Sequence, residues 1–387
     1  MHVARWLTAL LLLFGIFGFT PILTVRLWAD EQVEDTVVAD AADSAPTADD
    51  AKSVKSPQSA GDPESSEPAA DKPARYIPKS KYAIPDPALE LLDPRTYRLK
   101  VLIRIDAPDG MVKNVMATGP IPMDWPEQRV RLISQKLTPQ CTVSEQVLPG
   151  QAALLKFHVP QIQKGGSAFV ERLYEITRFR TKFLSEPESL KYARVIPAEL
   201  KEQVAGTPPG VELDHPKMIE LAKSLRKSSD EANPWDTIKT FWSWTRDNVK
   251  FQNGDFRGAL YAIENHCGDC EEMSALFVGL CRLSGIPART VWVEGHDYPE
   301  FYLLDKQGKG HWIPAQVVGP PWFGEITEYR PIFQKGDRFF DALQQTYVRY
   351  VPHTVRGADS KADPKVDFTH EIIADSDING PSYSNAR

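Results

Sequence analysis

From Tyr97 the chain alternates apolar and polar positions. Tyr97-Arg-Leu-Lys-Val-Leu-Ile-Arg-Ile105 reads as a strand, and Asp109-Gly110 marks a turn. Ala153–Val159 and Ala168–Phe179 follow as a second pair joined through Lys164-Gly-Gly166. Strands at this spacing, linked by turns without helices, predict a small antiparallel β-sandwich over residues 95–185. His158 falls within one of these strands and is expected to be an ordinary strand residue. Residues 186–232 read as a helical connection, with a helix from Pro216 to Lys227.

Asn233-Pro234 then supplies an N-cap and a first-position proline. The following helix, Trp235 to Val249, carries Ile238, Phe241, Trp242, Thr245 and Val249 on one face. A further helix starts at Cys270, with Met273, Leu276, Phe277, Leu280 and Leu283 at helical spacing. Gly285 and Pro287 stop it. Three strand-like runs come next: Arg289–Val293, Glu300–Asp305 and His311–Gln316, the last two separated by Gly308 and Gly310. Helices followed by an antiparallel meander make an α+β domain over residues 233–350.

The two ends differ in texture. Arg5 and Arg26 bracket an apolar run from Trp6 to Val25, so residues 1–28 are expected to be a membrane anchor or a cleaved signal peptide. Residues 29–80 are dominated by Ala, Asp, Glu, Pro and Ser, too polar to offset their ordering entropy, and are expected to form a disordered acidic linker. Residues 351–387 are polar and expected to be a disordered tail. Export follows from either reading of the N-terminus, with membrane contact only through that segment. The chain has 387 residues, enough for two domains, and its net charge of −7 without a basic run argues against a nucleic-acid partner. No nucleotide, flavin or phosphate loop is visible, and neither a cofactor nor a metal is expected.

The chemistry concentrates in Asn265-His-Cys-Gly-Asp-Cys-Glu-Glu272. Asp269 can cap the helix, and Glu272, three residues on, completes a capping-box pattern. Cys270 then lies in the first turn, where the macrodipole favours thiolate and unpaired N–H groups could receive an oxyanion. Neighbouring Asp269, Glu271 and Glu272 act the other way, raising a thiol pKa. Four cysteines (Cys141, Cys267, Cys270, Cys281) are too few for a disulfide scaffold. A Cys267–Cys270 disulfide stays open and would block the nucleophile. Cys281 reads as a buried apolar-face residue, and Cys141 has no readable role.

Trp244-Thr-Arg-Asp-Asn-Val-Lys250, Gly268-Asp-Cys270, Gly285-Ile-Pro-Ala-Arg289, His296-Asp-Tyr-Pro-Glu-Phe-Tyr302 and Trp312-Ile-Pro-Ala-Gln316 together resemble the transglutaminase-like superfamily, which includes papain-like cysteine chemistry. The resemblance covers roughly residues 233–318. It implies a transglutaminase-like (papain-like) core of helices packed on an antiparallel sheet, following the sandwich. It also implies cysteine-dependent acyl transfer on amides through a thioester: hydrolysis of a peptide or side-chain amide, or transfer to an amine. The substrate would be a protein or peptide outside the cytoplasm. Cys270 matches the family's nucleophile and His296 its histidine. Gln316 stands where the family has an aspartate: its amide can fix the imidazole tautomer but lacks a full negative charge. Asp305 and Asp297 are possible substitutes, and His311 is the rival histidine.

Two other readings stand beside the enzyme. His266, Cys267 and Cys270 supply soft or borderline ligands for a metal, or a dithiol for redox exchange, although no second pair stands at zinc-finger spacing. Gln316 and the carboxylates around Cys270 fit a non-catalytic binding module on the same fold.

Overall fold

The computed structural model describes residues 83–148, 152–229, 232–341, 345–358 and 362–373. The expected anchor or signal (1–28) and acidic linker (29–80) lie outside the described residues. Among those described, no helix is long and apolar enough to cross a membrane.

The first elements among the described residues are six strands: β1 (Leu89–Asp106), β2 (Val112–Ile121), β3 (Gln128–Leu137), β4 (Thr142–Leu148), β5 (Ala152–Ile162) and β6 (Ser167–Phe183). Two 3-10 turns at 187–189 and 198–204 lead to α1 (Pro216–Lys227), α2 (Pro234–Asn248), β7 (Lys250–Phe251), α3 (Ala259–Asn265), β8 (Cys267–Gly268) and α4 (Cys270–Leu283). The meander β9 (Ala288–Val293), β10 (His296–Leu304) and β11 (Gly310–Pro314) follows. Short strands β12 (Glu325–Ile326), β13 (Ile332–Lys335), β14 (Phe339–Asp341) and β15 (Thr346–Val348) precede β16 (Thr354–Ala358) and β17 (Lys365–Ile373). The fold is α+β with antiparallel main sheets.

One sheet runs β12-β6-β1-β17, with β3 also on β6; the other runs β11-β10-β9-β13-β5-β2-β16, with β4 on β5. Alternation along β1 puts Leu99, Val101, Ile103 and Ile105 into the core, where they meet Leu155, Phe157 and Val159 of β5. The Lys164-Gly-Gly166 turn joins β5 to β6, but these strands belong to different sheets, so the turn is a corner and not a hairpin. Gly165 sits at φ +77°, and its N–H donates to the Ala107 carbonyl at the adjoining corner, 2.7 Å away.

The ladder does not stop at residue 185. β13 pairs with both β9 and β5, so the meander and part of the sandwich share one sheet. The tail expected to be disordered instead contributes β16 and β17. β17 pairs with β1 through nine positions, Arg98↔Ile373 to Asp106↔Lys365. Lys365, Asp367, Thr369 and Glu371 alternate onto the outer face, while Val366, Phe368 and Ile372 pack on the sandwich core and His370 stacks on Phe333. A half-polar edge strand of this kind has too little apolar surface to show in composition.

α4 is enclosed on all sides. Glu272 through Arg282 are buried without interruption, with α1, α2, α3, β9 and β10 around them. Phe277 meets Phe301 of β10 with ring centroids 6.4 Å apart. The buried Arg282 is neutralised by buried Asp337 at 2.6 Å. The helix is therefore a fixed post, and its N-terminus is a fixed place for a side chain.

Candidate active site

The capping pattern forms as the residue types require. Asp269 Oδ1 accepts from the Glu271 and Glu272 amides at 2.8 and 3.4 Å, and Glu272 Oε2 accepts from the Asp269 amide at 2.8 Å. Glu272 Oε1 also accepts from the Arg257 amide at 2.5 Å, tying the preceding loop to the helix. A β-carbon on Gly268 would lie 2.6 Å from Glu272 Cβ, so the residue before Asp269 must be glycine. Cys270 follows in the first turn, half-buried.

The Cys270 sulfur accepts a hydrogen bond from the backbone N–H of Asp297, within one peptide unit of His296. Its thiol is nevertheless pushed well above the ordinary range. Burial is the main cause, and the carboxylates of Asp297 and Asp269 add to it. The dipole effect is outweighed.

His296 opens β10 just after a turn at Gly295, φ +65°. Beyond β11 the pairing continues, because the Ala315 amide donates to the Pro299 carbonyl at 2.9 Å. Gln316 thereby lies on the His296 face of the sheet, and its side-chain nitrogen stands 3.0 Å from His296 Nε2. Gln316 Oε1 is buried without a partner. Turning the amide over would let that oxygen accept from Nε2–H and would leave Nδ1 as the ring's acceptor. The Gln316 backbone is held by Trp242 Nε1 and Arg246, which donate to its carbonyl at 2.7 and 3.1 Å. Burial pulls the His296 pKa down to about 4; Glu328 opposes this, Arg330 adds to it, and the Gln316 bond opposes it. Glu328, between β12 and β13, carries no motif by which sequence reading could have found it.

The rivals lie elsewhere. His311 is buried between two carboxylates, Nδ1 at 2.8 Å from Asp86 and Nε2 at 3.1 Å from Asp305. Asp305 is thus His311's partner and not a substitute for Gln316. Asp297 does not substitute either: its carboxyl accepts from Ser274 Oγ at 2.7 Å. The His266 ring meets the Asn248 carbonyl at 3.2 Å, and the Cys267 thiol donates to the Tyr261 hydroxyl at 3.7 Å. No group of three His, Cys, Asp or Glu gathers around one point among the described residues. All four cysteines are free thiols. His158 is a β5 strand residue paired with Met116 and Thr142. A cavity of about 310 Å³ lined by Trp125, Glu127, Tyr298, Glu300 and Trp312 opens beside the sheet face that carries His296.

No curated protein matches the sequence. Among solved structures, a protein from Cytophaga hutchinsonii provisionally assigned as a cysteine protease is 13% identical, with TM-score 0.50 over 74% of this chain and 93% of that one. The periplasmic domain of TgpA from Pseudomonas aeruginosa is also 13% identical, with TM-score 0.30 over 59% of this chain and 87% of that one. The first shares the fold. Residues 219–317 match the family model described as the transglutaminase-like superfamily, and this part of the chain is a transglutaminase-like domain.

Proposed function

We propose that the protein is a cysteine-dependent acyl-transfer enzyme acting on amides, with Cys270 as nucleophile, His296 as its proton acceptor and Gln316 as the group that orients His296. The observation that carries this reading is the His296–Gln316 hydrogen bond beside a sulfur held by the amide of the next residue, Asp297. With thiol and imidazole both neutral at rest, the proton moves during attack. The sulfur bonds to the amide carbon while His296 takes the thiol proton. The C–N bond then breaks, and the ring returns the proton to the leaving amine. Water or a primary amine attacks the thioester, His296 takes its proton, and the proton returns to sulfur as the C–S bond breaks. The cap uses the Glu271 and Glu272 amides, which leaves the Cys270 amide as the first-turn donor for the oxyanion. The apolar N-terminal run supports an extracytoplasmic protein or peptide substrate.

Intact-mass measurement after acid quench, over a panel of peptide amides and glutamine-containing peptides, tests this. An acyl adduct that maps to Cys270, is absent from Cys270→Ser and forms slowly in His296→Ala is the expected result. A second reading, a non-catalytic binding module, is favoured by the raised thiol and the depressed imidazole. Binding of panel peptides with neither adduct nor amine release would establish it instead.

A further inference from the structure

β10 sends successive side chains to opposite faces. His296 turns toward Gln316, whereas Asp297 shares its face with Phe301 and Leu303, which pack in the same core as α4. On α4, Cys270 and Ser274 stand one turn apart and share a face. Ser274 Oγ donates to Asp297 Oδ1 at 2.7 Å. The carboxyl is 1% exposed, and its other oxygen, Oδ2, has no partner. An unpartnered carboxylate oxygen fully removed from water costs more than a structural acceptor for one serine requires. A residue chosen only to fill this space would be apolar. A buried carboxyl beside a sulfur, tied to the sulfur's own helix, acts on the sulfur when it ionises.

We propose that Asp297 is a positioning residue for Cys270: its carboxylate, pinned by Ser274, keeps the sulfur in the thiol form, and protonation of that carboxyl releases the restraint. The proposal rests on Cys270 being the nucleophile of the acyl-transfer reaction. Asp297 thus performs two opposed tasks through one residue, its backbone N–H steadying a sulfur anion and its side chain opposing it. The carboxyl titrates within reach of ordinary conditions. Burial raises its pKa to about 8; Glu271 adds to this, Arg349 and the Ser274 hydrogen bond oppose it, and Asp269 adds to it. The charged groups facing it are therefore Glu271, Asp269 and Arg349, together with Cys270 itself. Asp269 is also raised, to about 7, by burial and by Glu272.

Coupled titration gives a signature that steric damage does not. In the wild type, thiolate forms with unit slope against pH until Asp297 ionises. The slope then flattens, because each new carboxylate raises the thiol pKa. In Asp297→Asn, which keeps the acceptor for Ser274, that flattening disappears.

The test is the rate of Cys270 alkylation by iodoacetamide from pH 5.5 to 10, read by peptide mass spectrometry in a Cys267→Ser background. The ratio of the Asp297→Asn rate to the parent rate should be near one at the acid end and rise to about tenfold or more above pH 9, one unit of thiol pKa being a factor of ten. Any residual inflection near pH 7 in the variant belongs to Asp269. Ser274→Ala removes a bond that favours the charged carboxyl, so its flattening should move to higher pH while its amplitude stays. A ratio constant across pH, whatever its size, overturns the proposal, as does an unmoved inflection in a folded Ser274→Ala. Acyl adducts on Cys270 in the parent, with such a constant ratio, would leave the acyl-transfer reading standing while this one falls.

Discussion

Glu272 ties the 257 loop to the start of α4, where the proposed nucleophile Cys270 stands, and Glu272→Ala measures the strength of that tie. Its side chain is fully buried, with one oxygen 2.5 Å from the Arg257 amide and the other 2.8 Å from the Asp269 amide. Truncation leaves two part-buried N–H groups without acceptors, at about 1–3 kcal/mol each, or roughly 2–6 kcal/mol together. Two effects offset part of this. The variant no longer buries a carboxylate, and Asp269 loses a negative neighbour. The weak Arg257 guanidinium contact at 3.9 Å adds little. A net loss of at least about 2 kcal/mol is expected. Asp269→Ala removes only an N-cap, at about 1 kcal/mol. Urea unfolding followed by tryptophan fluorescence should therefore show a lower midpoint for Glu272→Ala than for Asp269→Ala, with slopes unchanged. Because the two residues cap each other, the double variant should lose less than the sum of the singles. Equal midpoints, or a smaller effect at Glu272, would refute the claim that this carboxylate joins the 257 loop to the helix.

Two further outcomes separate the roles of the histidines. Gln316→Asp places a carboxylate on His296 and should raise its pKa from about 4. The base form would then be lost at higher pH on acidification, and the acid limb of the activity profile should move up by about one unit or more; an unmoved limb would show that residue 316 does not act on the ring. His311→Leu should lower the melting temperature by leaving Asp86 and Asp305 without their shared partner, yet leave the pH dependence of Cys270 alkylation unchanged. A His311 variant that alters that dependence would reverse the assignment of the two histidines.

Local features were the most legible in the sequence. The capping box needs only positions 269 and 272, the Asn233 cap only the residue ahead of Pro234, and the α4 period only its own fourteen residues. The His296–Gln316 contact was readable through the resemblance, twenty positions apart on strands with a short turn between them. His311 was not, since Asp86, 225 positions away, supplies half of its setting. The charge balance at Cys270 was half-readable. Asp269 and Glu271 adjoin it in sequence, whereas Asp297 reaches it only because a strand beginning at His296 turns its second side chain toward α4. β3 and β4 were missed for another reason: they are largely exposed, and few of their side chains carry the apolar half of the alternation into a core.

The continuity of the larger sheet bears on how the sandwich can serve the site. β13 is four residues long and meets β5 at a single pair, Gln334↔Ala152, too little ladder by itself to hold the meander in register. Side chains supply the rest. Gln128, buried at the start of β3, accepts from the Ile332 amide at 2.7 Å and donates to the Ile332 carbonyl at 2.8 Å, so its amide takes the place of a strand partner. Beside it runs a buried alternating chain: Arg289 on β9, Glu300 on β10, Lys335 on β13 and Glu127 in the loop before β3, with contacts of 2.6, 2.7 and 2.5 Å. Such pairs contribute little net stability, because desolvation offsets their attraction. They do fix register, since slipping β10 by one residue would put Glu300 into the apolar core and strand Arg289 and Lys335. Glu300 and His296 lie on the same face of β10, four residues apart. The ion chain that locks Glu300 therefore also fixes the strand that presents His296 to Gln316, and the sandwich, through Glu127 and Gln128, is part of the machinery that keeps the histidine in place.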